Sequence, residues 1–211
     1  MVSIEEPINP ENTKPQRSWL FKVGSIVAWI LLALFAVGIT GVSALNGRYA
    51  FLQNNWLIVL FKLNVRFYNA QTSMLNVFNI LDLTIMVLFC ILFLALNAAL
   101  YRGHKIWSVI ATALPFLGII IFLITHTAGR SGLLIGALIF SVVMLASNVF
   151  SKVSAYLGIV ASTLLFFAGD IGTTIFPSSI TIAVLIGIGY VLWIVWFALI
   201  GWRLFSIARE K

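Results

Sequence analysis

Hydrophobic positions in this chain fall in long blocks, with polar residues gathered into the stretches between them. Six blocks stand out, at about 23–45, 74–101, 106–126, 132–150, 153–169 and 181–202. A helix that crosses a bilayer needs roughly 20 mainly apolar residues, because the hydrocarbon offers its backbone no other hydrogen-bond partner. The pattern therefore predicts an all-α polytopic membrane protein, a six-transmembrane-helix bundle. Residues 1–18 hold Glu5, Glu6, Glu11 and three prolines, and read as a flexible cytoplasmic tail. Residues 19–208 read as a single membrane domain. The start does not fit a signal peptide, which places an apolar core directly behind a basic beginning.

The stretches between the blocks predict the connections. Asn46–Ser73 is the longest. Phe51–Phe61 within it is apolar but too short to span, and Phe61-Lys62-Leu63-Asn64-Val65-Arg66-Phe67 alternates strictly. With no second alternating segment to pair with, an interfacial helix is the preferred reading and a loop the alternative. Thr125–Gly132 reads as a tight polar turn, and Ser151-Lys152 as a second. Gly169-Asp170-Ile171-Gly172 is expected to break the fifth span. Pro115 lies inside the third, where its missing N–H frees a carbonyl that neighbours must satisfy. Gly24 with Ala28, and Gly132 with Gly136, are small residues four apart. Such pairs admit close helix approach, although glycine and alanine are also simply frequent in membrane helices.

Composition supports the same class. Residues are 62% hydrophobic and 9% charged, and mean hydropathy is +1.09. A soluble domain carries about 25% charged residues, so this chain lacks the polar surface to cover a water-soluble globule. The net charge of +7 does not imply nucleic acid, because the basic residues sit between apolar blocks and near the ends. They read as topology signals. With both termini inside, nine basic residues (Lys14, Arg17, Lys22, Arg102, Lys105, Lys152, Arg203, Arg209, Lys211) lie on the inner side. Four (Arg48, Lys62, Arg66, Arg130) lie on the outer. The excess predicts cytoplasmic termini. Cys90 is the only cysteine, so no internal disulfide can form.

One stretch resembles a known family. Val143-Met144-Leu145-Ala146-Ser147-Asn148-Val149-Phe150-Ser151-Lys152-Val153-Ser154-Ala155-Tyr156-Leu157-Gly158-Ile159 is similar to the signature of the prokaryotic membrane family known as domain of unknown function 4386. Trp193, Trp196, Leu199, Ile200, Arg203, Leu204 and Phe205 resemble that family's closing helix. The likeness covers roughly the last third of the chain well and the earlier spans in layout. Ala146 stands where the family often has a basic residue. The resemblance implies a six-span protein of a prokaryotic cell membrane and supplies no activity. Read physically, Phe150-Ser151-Lys152 ends a helix at the inner surface. Lys152 and Tyr156, four apart, reach one headgroup zone. That is anchoring, with lipid headgroup binding as the functional alternative.

The candidate chemistry begins at Asp82, the one carboxylate inside the second block. An ionised aspartate deep in a bilayer costs a few kcal/mol, so it is expected to be paired or protonated and to face the bundle interior. Asn76, Asn79 and Asp82 recur every three residues, and Asn97 falls near the angle of Asn79. His126, Arg130 and Asp170 arrive at the same outer end. The candidate binding residues are therefore Asp82, Asn79, His126, Arg130 and Asp170, lining an outward-facing polar pocket, with an Asp82–Arg130 pair the simplest arrangement. The plainer alternative is a structural ion pair between spans two and four, with His126 and Asp170 solvated at loop ends. No GxSxG, HExxH or Walker spacing occurs, and no metal constellation or cofactor is indicated. Three functions fit: a small-molecule or lipid binding protein acting as a transport component, an intramembrane lipid-modifying enzyme, or a non-catalytic partner of another membrane subunit. The first is preferred, with membrane lipids, a small apolar or amphipathic ligand, or another membrane subunit as partners.

Overall fold

A computed structural model describes residues 14–45, 74–101, 103–125, 129–172, 175 and 180–210. It is helical throughout, with no strand among the described residues. The helices are α1 (Lys14–Leu45), α2 (Met74–Leu100), α3 (Lys105–Thr125), α4 (Gly129–Ala146), α5 (Lys152–Leu164) and α6 (Ile180–Arg209). Helix α5 continues directly as a π-helix, Leu165–Gly172. Four stretches are long and apolar enough to cross a membrane: Ser18–Ala36, Leu83–Leu100, Lys152–Gly172 and Val184–Arg209. Lys105–Ile121 and Ser131–Ala146 are shorter apolar helices. The connection 46–73, with its interfacial segment, lies outside the described residues.

Each helix packs on the next, and α6 returns to pack on α1, which closes a ring. Neighbours run antiparallel. The interior is sealed by aromatic rings: Phe93 meets Phe140 at 4.9 Å, Phe89 meets Trp193 at 5.3 Å, and Phe35 meets Trp193 at 5.6 Å between centroids. Phe197 joins the same group, 5.5 Å from Phe89 and from Trp193. Edge-to-face geometry dominates, the arrangement that ring quadrupoles favour.

Small residues set the closest seams. A Cβ on Gly132 would sit 2.8 Å from the Leu114 carbonyl oxygen, and one on Gly136 would sit 2.9 Å from that of Ala111. Pro115 removes the N–H that would have taken the Ala111 carbonyl within α3. Gly136 thus lies against the freed oxygen, where a side chain would obstruct the approach of the two helices. Gly24 abuts Ala95, and Ser25 Oγ donates to the Gly201 carbonyl at 2.8 Å, binding α1 between α2 and α6.

Several boundaries differ from those the hydropathy predicts. Helix α1 starts at Lys14, ahead of its apolar block, because nothing in Lys14–Lys22 breaks a helix except Pro15, which the first turn tolerates. Helix α4 ends at Ala146 rather than Phe150. There the Ser147 N–H and hydroxyl both turn back on the Met144 carbonyl, the local bonding that takes serine out of helices. Phe150 is buried beneath the turn. Gly169–Gly172 does not break the fifth helix; the chain shifts to π hydrogen bonding and runs on to Gly172. Helix α6 passes the end of its apolar block and reaches Arg209. Its tryptophans part company: Trp193 and Trp196 are core residues, whereas Trp202 is 68% exposed.

Candidate functional site

Helix α4 begins at Gly129, so Arg130 and Ser131 belong to its first turn rather than to a loop. Ser131 Oγ donates to Asp170 Oδ2 at 2.6 Å, a length typical of strong hydroxyl–carboxylate bonds. Both residues are half-buried. Asp170 stands on the π-helix, and π segments recur at functional sites. That segment is held by α6. A Cβ on Gly172 would sit 3.1 Å from Ile182 Cδ1, and one on Gly189 would sit 2.9 Å from Leu165 Cγ. Asp170 thus stands in a helical segment, half-buried, and joins the continuation of α5 to α4.

Asp82 and Asn79 lie on α2, but their side chains fall outside the described residues, as does that of Arg130. His126 falls outside altogether, so an Asp82–Arg130 pair is not among the contacts that can be given. The helix positions are informative nonetheless. Helices α2 and α4 run parallel, with Phe93 against Phe140 and beside Gly136. Counted back from that contact, Asp82 and Ser131 come at comparable depth, within about one helical turn at 1.5 Å per residue. Asp82 precedes Phe89 of the aromatic seal by about 10 Å along α2. The two carboxylates, Asp82 and Asp170, therefore belong to the same end of the ring, on the same side of the aromatic layer.

The opposite end carries a different chemistry. Asn97 accepts at Oδ1 from Ser108 Oγ at 2.6 Å, so this member of the polar stripe ties α2 to α3. Arg203 Nε donates to the Val149 carbonyl at 2.7 Å, and Nη1 lies 3.3 Å from Glu210 Oε1. The stretches Val143–Ile159 and Trp193–Phe205 meet here and just above. Trp196 and Ser141 both press on Gly158, where any Cβ would collide with them.

No family model, curated protein or solved structure matches the chain. The reading of the site accordingly rests on its geometry.

Three buried polar atoms have no hydrogen-bond partner among the described residues: Ser162 Oγ, Trp193 Nε1 and Trp196 Nε1. All belong to α5 and α6. Other buried hydroxyls are satisfied, Ser141 and Thr112 within their own helices by the Ala137 and Ser108 carbonyls, and Ser25 and Ser108 across to α6 and α2. Among the described residues no cluster of His, Cys, Asp or Glu gathers that could hold a metal ion. At this end the described polar groups are the Ser131 hydroxyl and the Asp170 carboxylate that accepts from it, and the aromatic layer lies on one side of them. Sequence reasoning missed Ser131 as the partner of Asp170. The signal available was the acid itself: a carboxylate closing an apolar block must find a donor, and Ser131 opens the neighbouring block.

Proposed function

We propose that the chain is a six-span protein of a prokaryotic cell membrane with both termini cytoplasmic. It binds a small amphipathic molecule or lipid in an outward-facing polar pocket and serves as a binding or transport component. The pocket is lined by Asp82, Asn79, His126, Arg130 and Asp170, with Ser131 added by its bond to Asp170. The observation that carries this reading is the Ser131–Asp170 bond, at the depth of Asp82 and on the same side of the aromatic layer. Polar groups above a closed apolar base make the usual design of a ligand site, in which a few polar groups orient a molecule held by apolar contact. The family resemblance at Val143–Ile159 and Trp193–Phe205 belongs to the same proposal. It accounts for six spans from four long and two shorter apolar helices.

The test is the cargo of the purified protein. Small molecules and lipids that co-purify in mild detergent are identified by mass spectrometry for wild type, Asp82→Asn and Asp170→Asn. A molecule enriched in wild type and depleted in both variants is expected. Identical cargo in all three preparations removes the proposed site.

A further inference from the structure

At the end of the ring opposite Asp82, the exposed faces of α5 and α6 combine positive charge with aromatic rings. Lys152 and Tyr156 are exposed one turn apart on α5. Trp202, Phe205 and Arg209 recur three and four apart on α6, and all are exposed, so they form one stripe. The helices run antiparallel with Gly158 against Trp196, and Leu165 against Gly189, which brings Lys152 level with Trp202. The Arg209 guanidinium lies over the Phe205 ring, its Cζ 4.2 Å from the centroid. That contact uses the face of the guanidinium and leaves its N–H edge for an oxygen ligand.

The only acid at this end among the described residues is Glu210. Arg203 engages it at 3.3 Å while bonding the Val149 carbonyl, so Arg203 serves the fold and Glu210 is already partnered. Lys152 and Arg209 make no hydrogen bond or ion pair among the described residues. Exposed tryptophan and tyrosine beside them mark the headgroup level of a bilayer, where amphipathic rings settle.

We propose that this α5–α6 surface is a binding site for an anionic phospholipid. Lys152 and Arg209 face the headgroup phosphate, whose negative charge no cation of the lipid offsets, and Tyr156, Trp202 and Phe205 lie against the glycerol and upper acyl chains. The site is independent of the Asp82 pocket. A basic residue near an anionic surface contributes roughly fivefold in partitioning, so the pair is worth an order of magnitude or more.

The experiment places the full-length protein in nanodiscs containing a trace of phosphatidylglycerol in phosphatidylcholine and measures the lipid retained on extraction. Wild type is expected to enrich phosphatidylglycerol, with the enrichment falling as salt rises. The K152Q/R209Q double variant is expected to lose roughly tenfold or more of that enrichment. K105Q removes an exposed lysine from the α2–α3 turn at the same end and is expected to lose little. F205L keeps the charge but removes the ring beneath Arg209, and is expected to fall in between. Equal enrichment in wild type and the double variant overturns the site. An equal loss in K105Q also overturns it, by reducing it to a diffuse basic belt. Lys152 and Arg209 are both exposed, and each single variant is measured too, so a folding defect in one leaves the other to decide.

Discussion

The α3–α4 and α5–α6 seams solve the same packing problem differently. Along α3–α4 the contact is with backbone: Gly132 and Gly136 lie against the Leu114 and Ala111 carbonyls, and Pro115 has freed the latter. Along α5–α6 the contact is with side chains: Trp196 fills the space over Gly158, and Leu165 that over Gly189. The first seam leaves its buried hydroxyls bonded. Helices α5 and α6 carry the three buried polar atoms without a partner among the described residues, and α5 runs on into the π-helix that carries Asp170. Without a hydrophobic drive between helices in lipid, close packing of small residues supplies much of the association. The second seam is packed tightly at Gly158 and carries the polar residue of the candidate site further along.

Substitutions that fill these contacts sharpen the comparison. The largest effect is expected for Gly136→Ala and Gly158→Ala, each costing on the order of 3 kcal/mol in thermal or denaturant unfolding in detergent. At Gly136 the obstruction is the buried Phe93 ring together with the Ala111 carbonyl, which cannot move without the helix; at Gly158 it is two fully buried side chains. Gly189→Ala meets the end of the Leu165 side chain, which can turn, so a cost of about 1 kcal/mol or less is expected. If Gly189→Ala proves as damaging as Gly136→Ala, the distinction between backbone and side-chain seams is lost.

A smaller pair of effects separates satisfied from unsatisfied polar groups. Ser25 and Ser162 are both buried serines, but among the described residues only Ser25 has a partner, the Gly201 carbonyl. Ser25→Ala is expected to cost about 1 kcal/mol. Ser162→Ala is expected to change stability by less than about 0.5 kcal/mol or to stabilise, because it removes a hydroxyl that bonds nothing. Equal losses in the two variants would mean that Ser162 has a partner after all.

Hydropathy made the helical class legible, because apolar blocks of this length have few other folds open to them. The glycine pairs were legible too: Gly24, Gly132 and Gly136 sit at close seams. Boundaries were less so. The reverse turn at Ser147 and the π continuation through Gly172 depend on local hydrogen bonding that hydropathy does not register. The Ser131–Asp170 bond joins residues 39 apart and requires knowing which helices adjoin. Asn97 was read as part of one polar stripe with Asn79, yet it serves α3 through Ser108. Helical angle alone does not separate an interior stripe from a seam between neighbours.

The central claim is a polar pocket open at the Asp82 end and closed by the aromatic layer. Cysteine accessibility tests it directly. Cys90 is the only cysteine and is buried, so Cys90→Ser provides a background without thiols. In that background Asp82→Cys, Asp170→Cys and Phe93→Cys are treated in intact membranes with a small, charged, water-soluble thiol reagent. Rapid labelling is expected at positions 82 and 170, with position 93 unreactive. Labelling of Asp82→Cys by lipid-soluble reagents alone would place that position against acyl chains and contradict the account.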